Sequence, residues 1–404
     1  MTKILIIGAS GFVGSNLLSH FETLQVSVRV MSRKPQKINS DSSLTEIVKG
    51  DLDDPKSLLT SVKGIETIYY LSHAMGYAGA DFENQEKVQA ENLLSVIDPK
   101  VKIIYLSGIL PSTELSKHLR SRKQVGDILR SAGNIVIEFR ASIIIGEGST
   151  SFEMVRSLVN RVPFILSAKW SQSFCQPISI VNVVQYLSLA ESKKFLEATN
   201  FEIGDKDIFK YKDLLVEYAK FERLRRPEIK IDDFPKELAA KLLAVVIPEY
   251  SEVGAKLIES IEHETIVTDG KAAKEFGIKP LPFDQVLGLV PQVKLEERNF
   301  DSFFRFLQNN HDLPDYLKGQ VLMYTIEVKD SFDISSWIDN LNSIPLLKIS
   351  KDQTKGFVLK IPFVGQIGIK LSPDNKKLLI AVEAKYFFQK AGFGLVNAVL
   401  SKIK

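Results

Sequence analysis

The chain has 404 residues, of which 45% are hydrophobic and 25% charged, and its formal net charge is +3. That composition excludes disordered and fibrous classes, and the length asks for roughly two or three domains rather than one core. So small a charge gives no reason to expect nucleic acid or another polyanion as a partner.

Lys3 to Ile7 reads as an apolar strand, and Ser15 to Phe21 as the first turns of a helix. Between them Gly8, Gly11 and Gly14 form a G-x-x-G-x-x-G loop. Gly8 permits a tight turn, Gly11 lets backbone approach a pyrophosphate, and Gly14 lets helix and strand pack closely. The N–H groups at the helix start would face the phosphates. Ser10, Phe12 and Val13 complete this candidate cofactor loop. Further strands are expected at Val26–Met31, Glu46–Lys49, Thr67–Leu71, Lys102–Leu106 and Ile135–Phe139, alternating with helices at Lys56–Val62, Asn84–Val96 and Ser116–Ser131. Such alternation implies a parallel sheet covered on both faces, with the ligand site at the carboxyl ends of its strands.

From Ser149 to about Val290 the alternation loosens. Helices are expected at Phe152–Arg161, Val181–Glu191, Lys210–Phe221, Pro235–Val246 and Lys271–Phe276. Short strands at Ile178–Ile180 and Asn200–Ile203 are expected to return to the first sheet, the remainder capping it as a substrate region. After the polar Glu296–Asp301 segment, Gln320–Val328, Gly356–Ile361, Gln366–Lys370 and Lys377–Val382 read as β-segments. Helices are expected near Ile334–Leu341 and Gly392–Ile403. The apolar Phe387, Phe388, Phe393, Leu395 and Val396 at this end suit packing on the β-segments better than attachment to a membrane surface.

An NAD site places an acidic side chain after the second strand for the ribose 2′-hydroxyl, whereas an NADP site places basic groups there for the 2′-phosphate. Between Thr23 and Ser40 there is no Asp or Glu, while Arg29 lies in the strand and Arg33 and Lys34 follow it. This favours NADP(H), with NAD(H) as the alternative and Arg33 as the leading phosphate ligand. Asp51 and Leu52 fall where a carboxylate and an apolar wall would flank the adenine, and Leu71, Ser72 and His73 end the fourth strand beside the diphosphate–ribose path. Cys175 is the one cysteine, and the five histidines show no pair at metal-ligand spacing, so no metal site is expected. No Gly-x-Ser-x-Gly elbow supports hydrolase chemistry.

These motifs occur in the order found in short-chain dehydrogenase/reductases: the glycine loop, Gly50-Asp51-Leu52, Tyr69-Tyr70-Leu71-Ser72-His73-Ala74-Met75 and Ile103-Ile104-Tyr105-Leu106-Ser107-Gly108. Three further stretches resemble the atypical NAD(P)-binding, epimerase/dehydratase-like branch: Ser116–Arg122, Arg140–Gly146 and Gln176-Pro177-Ile178. Lys271–Gly277 is similar to the closing helix of extended members. The resemblance covers about residues 1–290 and implies an α/β fold with a doubly wound parallel-sheet Rossmann core over 1–148 and a smaller substrate or capping region over 149–295; residues 296–404 read, from their own pattern, as a separate C-terminal α+β domain. It also implies an NADP(H)-dependent oxidoreductase acting on a small or lipophilic carbonyl compound.

One departure bears on catalysis. Active members use Tyr-x-x-x-Lys, two side chains on one helix face, where the lysine holds ribose and lowers the tyrosine pKa. The matching positions here are His118 and Arg122. A permanent Arg charge disfavours imidazolium, which leaves His118 a poor proton donor near neutral pH. Arg122 can still donate to ribose hydroxyls. Ser107 stands near the superfamily's catalytic serine, although Gly108 is the alternative equivalent, giving the nicotinamide room. The catalytic candidates are therefore His118, Arg122, Ser107 and His73. Two other readings stay open: an NADP(H)-binding regulatory protein without turnover, and an epimerase- or dehydratase-like enzyme holding NAD. The basic run from Lys117 to Lys123 reads as a solvated helix face. With a core strand at the start and only the short apolar run Leu242–Ile247 later on, neither a signal peptide nor a membrane span is expected, which suits a cytoplasmic protein.

Overall fold

The computed structural model describes residues 3–72, 82–112, 114–162, 164–224 and 226–290, together with the backbone of five strands between 319 and 385. β1 (Ile4–Ile7) runs through the glycine loop into α1 (Phe12–Thr23). Then come β2 (Val28–Ser32), β3 (Thr45–Lys49), α2 (Pro55–Val62), β4 (Thr67–Tyr70), α3 (Phe82–Leu94), β5 (Lys102–Gly108), α4 (Lys117–Ser131) and β6 (Val136–Ala141). The next stretch holds β7 (Ile144–Ile145), α5 (Thr150–Arg161), β8 (Ile165–Ser167), β9 (Phe174–Cys175), β10 (Ile178–Ser179), α6 (Ile180–Ser192) and β11 (Thr199–Ile203). It is followed by β12 (Phe209–Lys210), α7 (Tyr211–Phe221), β13 (Glu228–Lys230), α8 (Lys236–Val246), α9 (Ser251–Ser260), α10 (Lys271–Phe276) and α11 (Phe283–Gly288).

Seven strands form one parallel sheet in the order β11-β6-β5-β4-β1-β2-β3. Alternation along the strands explains why both faces are covered. Ile4, Ile6, Val28, Val30, Tyr69, Ile137 and Phe139 share a buried cluster with residues of α1, α6 and α10. Leu5, Ile7, Ile68, Tyr70, Ile103 and Tyr105 bury against α2, α3 and α4 on the other face. The strand order reverses between β1 and β4, so the crevice at their carboxyl ends is the expected ligand position of a doubly wound sheet.

Of the two strands expected to return to this sheet, only β11 does, pairing with β6 from Thr199↔Ile137 to Ile203↔Ala141. Ile178–Ser179 pairs instead with β7 in a two-stranded ribbon. Its length is cut short because Ser179 already accepts from the Asn182 N–H as the N-cap of α6. Two more ribbons, β12 with β9 and β13 with β8, and helix α9 fill the region between α5 and α10.

The chain divides into two compact units, Met1–Phe300 and Asp301–Lys404. In the second, β14 (Gly319–Glu327), β15 (Lys348–Asp352), β16 (Gly356–Ile361), β17 (Gly365–Leu371) and β18 (Lys377–Lys385) form an antiparallel sheet in the order β14-β18-β17-β16-β15. The helices expected at Ile334–Leu341 and Gly392–Ile403, and the apolar set from Phe387 to Val396, lie outside the described residues.

Candidate functional site

The glycine loop is shaped by backbone contact. Gly8 has φ +94°, and a Cβ there would stand 2.8 Å from the carbonyl carbon of Leu71. A Cβ on Gly14 would lie 2.2 Å from the Gly8 carbonyl oxygen, so strand end and helix start meet with no room for a side chain. The Gly11 N–H closes the turn onto the Gly8 carbonyl at 3.0 Å. Side chains cap other helices: Asp54 on α2, Ser116 on α4, Ser149 on α5 and Ser179 on α6. α1 instead starts at the exposed Gly11, with no side-chain cap and no acidic residue in its first turn. These donors and this bare cradle fit the pyrophosphate of a dinucleotide.

Beyond the loop opens a cavity of about 610 Å³. Gly11, Phe12, Val13, Gly14, Leu71, Ser107, His118 and Arg122, all expected site residues, line it together. Arg33 and Lys34 are exposed just past β2, where the Lys34 N–H donates to Ser32 Oγ at 3.1 Å. Ser10 is exposed on the loop and Ser72 half-buried after β4. Asp51 accepts from the Asp53 N–H through Oδ1 at 3.1 Å, and Leu52 is buried in the core on the α2–α3 side. His73 lies outside the described residues. Arg29 is a structural cation. It pairs with Glu46 at 2.8 Å and donates to the Ser61 and Lys63 carbonyls at 2.9 and 2.8 Å, closing the end of α2.

The helix carrying His118 and Arg122 also explains its basic run. Ser116 caps it by accepting from the Leu119 N–H, and it meets Ser260 of α9 through an Oγ–Oγ contact of 2.9 Å. Arg120 pairs with Glu83, Lys123 with Asp127, and Arg122 with Glu86, so carboxylates of α3 and α4 neutralise much of the charge. Arg122 and Glu86 are both buried, with Nη2 and Oε1 3.8 Å apart. Arg122 Nη1 donates to the Tyr105 hydroxyl at 3.2 Å, while Ser121 Oγ donates to Glu86. Burial pushes the Tyr105 phenol up to about 12, so it is a neutral partner of that guanidinium near pH 7.

His118 stands in the first turn of α4, where the helix dipole opposes a positive ring. Burial, then the Arg122 charge, holds it down at about 4. Its Nδ1 and Ser107 Oγ are shielded from solvent and have no hydrogen-bond partner among the described residues. A lowered histidine means that the unfolded chain binds more protons between pH 6.5 and 4. Stability is therefore full above pH 6.5 and falls by on the order of 3 kcal/mol as pH drops to about 4. Comparing urea unfolding of wild type and His118→Asn at pH 7 and pH 4.5 measures this, since the variant lacks that part of the slope.

Sequence reasoning missed the far wall. α5, α8 and α9 supply Met154, Leu158, Leu242, Leu243, Leu257 and Ile261, and Ser142, Tyr211 and Thr265 bring hydroxyls. Among the described residues no cluster of metal-ligating side chains occurs, and no helix is long and apolar enough to cross a membrane.

Residues 4–98 match the model of the NAD dependent epimerase/dehydratase family. A 3-beta-hydroxysteroid dehydrogenase of Mycolicibacterium neoaurum is 31% identical over 84 residues, which span 21% of this chain and only 23% of that protein. Solved structures share the fold at low identity. A dTDP-glucose 4,6-dehydratase from Bacillus anthracis in complex with NAD aligns with TM-score 0.54 and 13% identity, over 72% of this chain and 95% of its own. A UDP-glucose 4-epimerase from Thermotoga maritima with UDP-glucose gives 0.54 and 13% over 76% and 100%. A triphenylmethane reductase from Citrobacter sp. gives 0.55 and 14% over 70% and 98%. The first unit thus shares the Rossmann-like fold of these structures, and its residues 4–98 are similar to the NAD dependent epimerase/dehydratase family.

Proposed function

We propose that this chain is an NADP(H)-linked oxidoreductase acting on a lipophilic carbonyl compound or the corresponding alcohol. One observation carries the reading: a single cavity joins the glycine loop to Ser107 and His118 and continues between apolar helices. Gly8, Gly11 and Gly14 would hold the pyrophosphate, Arg33 with Lys34 the 2′-phosphate, and Asp51 the adenine side. A bound nicotinamide supplies or takes up hydride. His118 Nδ1 and Ser107 Oγ are unpartnered polar atoms lining the cavity beside the glycine loop, where the nicotinamide end of the cofactor would lie. Being neutral, His118 suits accepting a proton from a hydroxyl better than delivering one to a carbonyl.

The test is titration with NADPH and NADH, followed by nicotinamide fluorescence. Tighter NADPH binding is expected, lost by at least tenfold in Arg33→Asp and kept in Arg29→Met, whose cost falls on stability. Equal affinity for both dinucleotides would sink the NADP(H) assignment. Hydride exchange from labelled NADPH, abolished by His118→Ala, separates turnover from binding alone. The same low His118 pKa and the engagement of Arg122 with Tyr105 and Glu86 favour a second reading, an NADP(H)-binding protein without turnover. Copurified NAD instead of NADP would favour an epimerase-like enzyme.

A further inference from the structure

The cavity is chemically divided, and away from the glycine loop it holds a cluster of neutral hydroxyls. Ser142 follows β6, Tyr211 opens α7, and Thr265 is joined to β9 by a bridge to Cys175. Ser142 Oγ and Thr265 Oγ1 lie 2.6 Å apart, and Thr265 Oγ1 and the Tyr211 hydroxyl 3.0 Å apart. All three residues line the cavity. Burial raises the Tyr211 phenol above the usual tyrosine range, so the cluster carries no charge near pH 7.

Two cationic side chains line this cavity among the described residues, and both are matched by carboxylates. Arg122 is held by Glu86 and Tyr105, and Lys212 Nζ lies 2.7 Å from Asp213 and 3.2 Å from Glu228. A diphosphate or carboxylate entering here would lose hydration without gaining a counter-charge, which outweighs what neutral hydroxyls return. A ketone or secondary alcohol needs only one or two neutral hydrogen bonds, and its hydrocarbon body gains from burial against Met154, Leu158, Leu243 and Leu257.

We propose that the Ser142–Thr265–Tyr211 cluster is the head-group site for an uncharged lipophilic ketone or alcohol, and that this end of the cavity rejects nucleotide sugars and fatty carboxylates. The inference rests on the oxidoreductase reading for its occupant at the glycine-loop end, and it sets this chain apart from the neighbour bound to UDP-glucose.

The test uses the full chain with NADPH added, titrated calorimetrically with 2-decanone, 2-decanol, decanoate at pH 8 and UDP-glucose. The two neutral compounds are expected to bind at least tenfold more tightly than either anion. Tyr211→Phe and Thr265→Val should each weaken 2-decanone by about three- to tenfold while NADPH affinity stays unchanged. If Tyr211→Phe fails to fold, Thr265→Val and Ser142→Ala carry the comparison. Absence of 2-decanone binding, anion binding of equal strength, or unaltered affinity in the folded variants would overturn the proposal. Failure of the wild type to bind NADPH overturns the cofactor reading instead, and the same titrations on the chain alone then decide the head-group site.

Discussion

Gly14→Ala is expected to abolish NADPH binding and to lower the melting temperature steeply, although it adds a single methyl group. That methyl would stand 2.2 Å from the Gly8 carbonyl oxygen and 2.8 Å from the Ala9 Cα, both backbone atoms that no rotamer change can move. Relief requires the start of α1 to retreat from β1, which dismantles the cradle of N–H groups. Overpacking and imposed backbone strain together cost about 3 kcal/mol or more. Gly64→Ala is the control. Gly64, unlike Gly14, has positive φ, +76°, but a Cβ there meets nothing within 4 Å. Its loss is the left-handed backbone cost alone, about 1–2 kcal/mol, with NADPH affinity unchanged. Thermal unfolding and fluorescence titration of both variants decide the matter. If Gly14→Ala binds NADPH as the wild type does, the loop is a structural turn rather than a phosphate cradle.

The glycine loop was legible in the sequence because its demands are local, and so was the parallel sheet. Apolar runs such as Thr67–Tyr70 and Lys102–Gly108 carry their own length and alternation with helices, and six of the seven sheet strands in the first unit emerge from that pattern before β11 closes the edge. Elements fixed by their neighbours were not legible. β7 is two residues long and pairs with β10, whose strand was expected at Ile178–Ile180 but whose partner was not. α9 mixes Gly254 and Lys256 with Val253, Leu257 and Ile258, so its apolar face is short and interrupted. β15, Lys-Ile-Ser-Lys-Asp, is too polar to stand out from loop sequence.

The site divides along the same line. His118 and Arg122 could be read four residues apart on one helix. Thr265 and Tyr211 are 54 residues apart, and only the folding of α7 against β9 joins their hydroxyls. The Arg29 role was hidden for the same reason. Its position in β2 is legible, but the end of α2, more than thirty residues away, claims the guanidinium.

Glu86 is a buried charge that a linear reading passes over, and Glu86→Ala is expected to destabilise the fold by roughly 3–5 kcal/mol. The carboxylate is 2% exposed on α3, accepts from Ser121 and faces the buried Arg122 Nη2 at 3.8 Å. Removing it leaves a permanent guanidinium charge inside the protein, with the neutral Tyr105 hydroxyl at 3.2 Å from Nη1. Glu83→Ala on the same helix, whose partner Arg120 is 55% exposed, should cost less than about 1 kcal/mol because water replaces the lost pair. The double variant Glu86→Leu with Arg122→Met should recover much of the lost stability, since no charge is then buried without a partner. Glu86 also opposes the fall of the His118 pKa, so Glu86→Gln should move that titration further below about 4, a change that NMR of the ring protons follows. If Glu86→Ala unfolds in urea as readily as Glu83→Ala, and no more so, the buried pair is not what sets the geometry beneath His118.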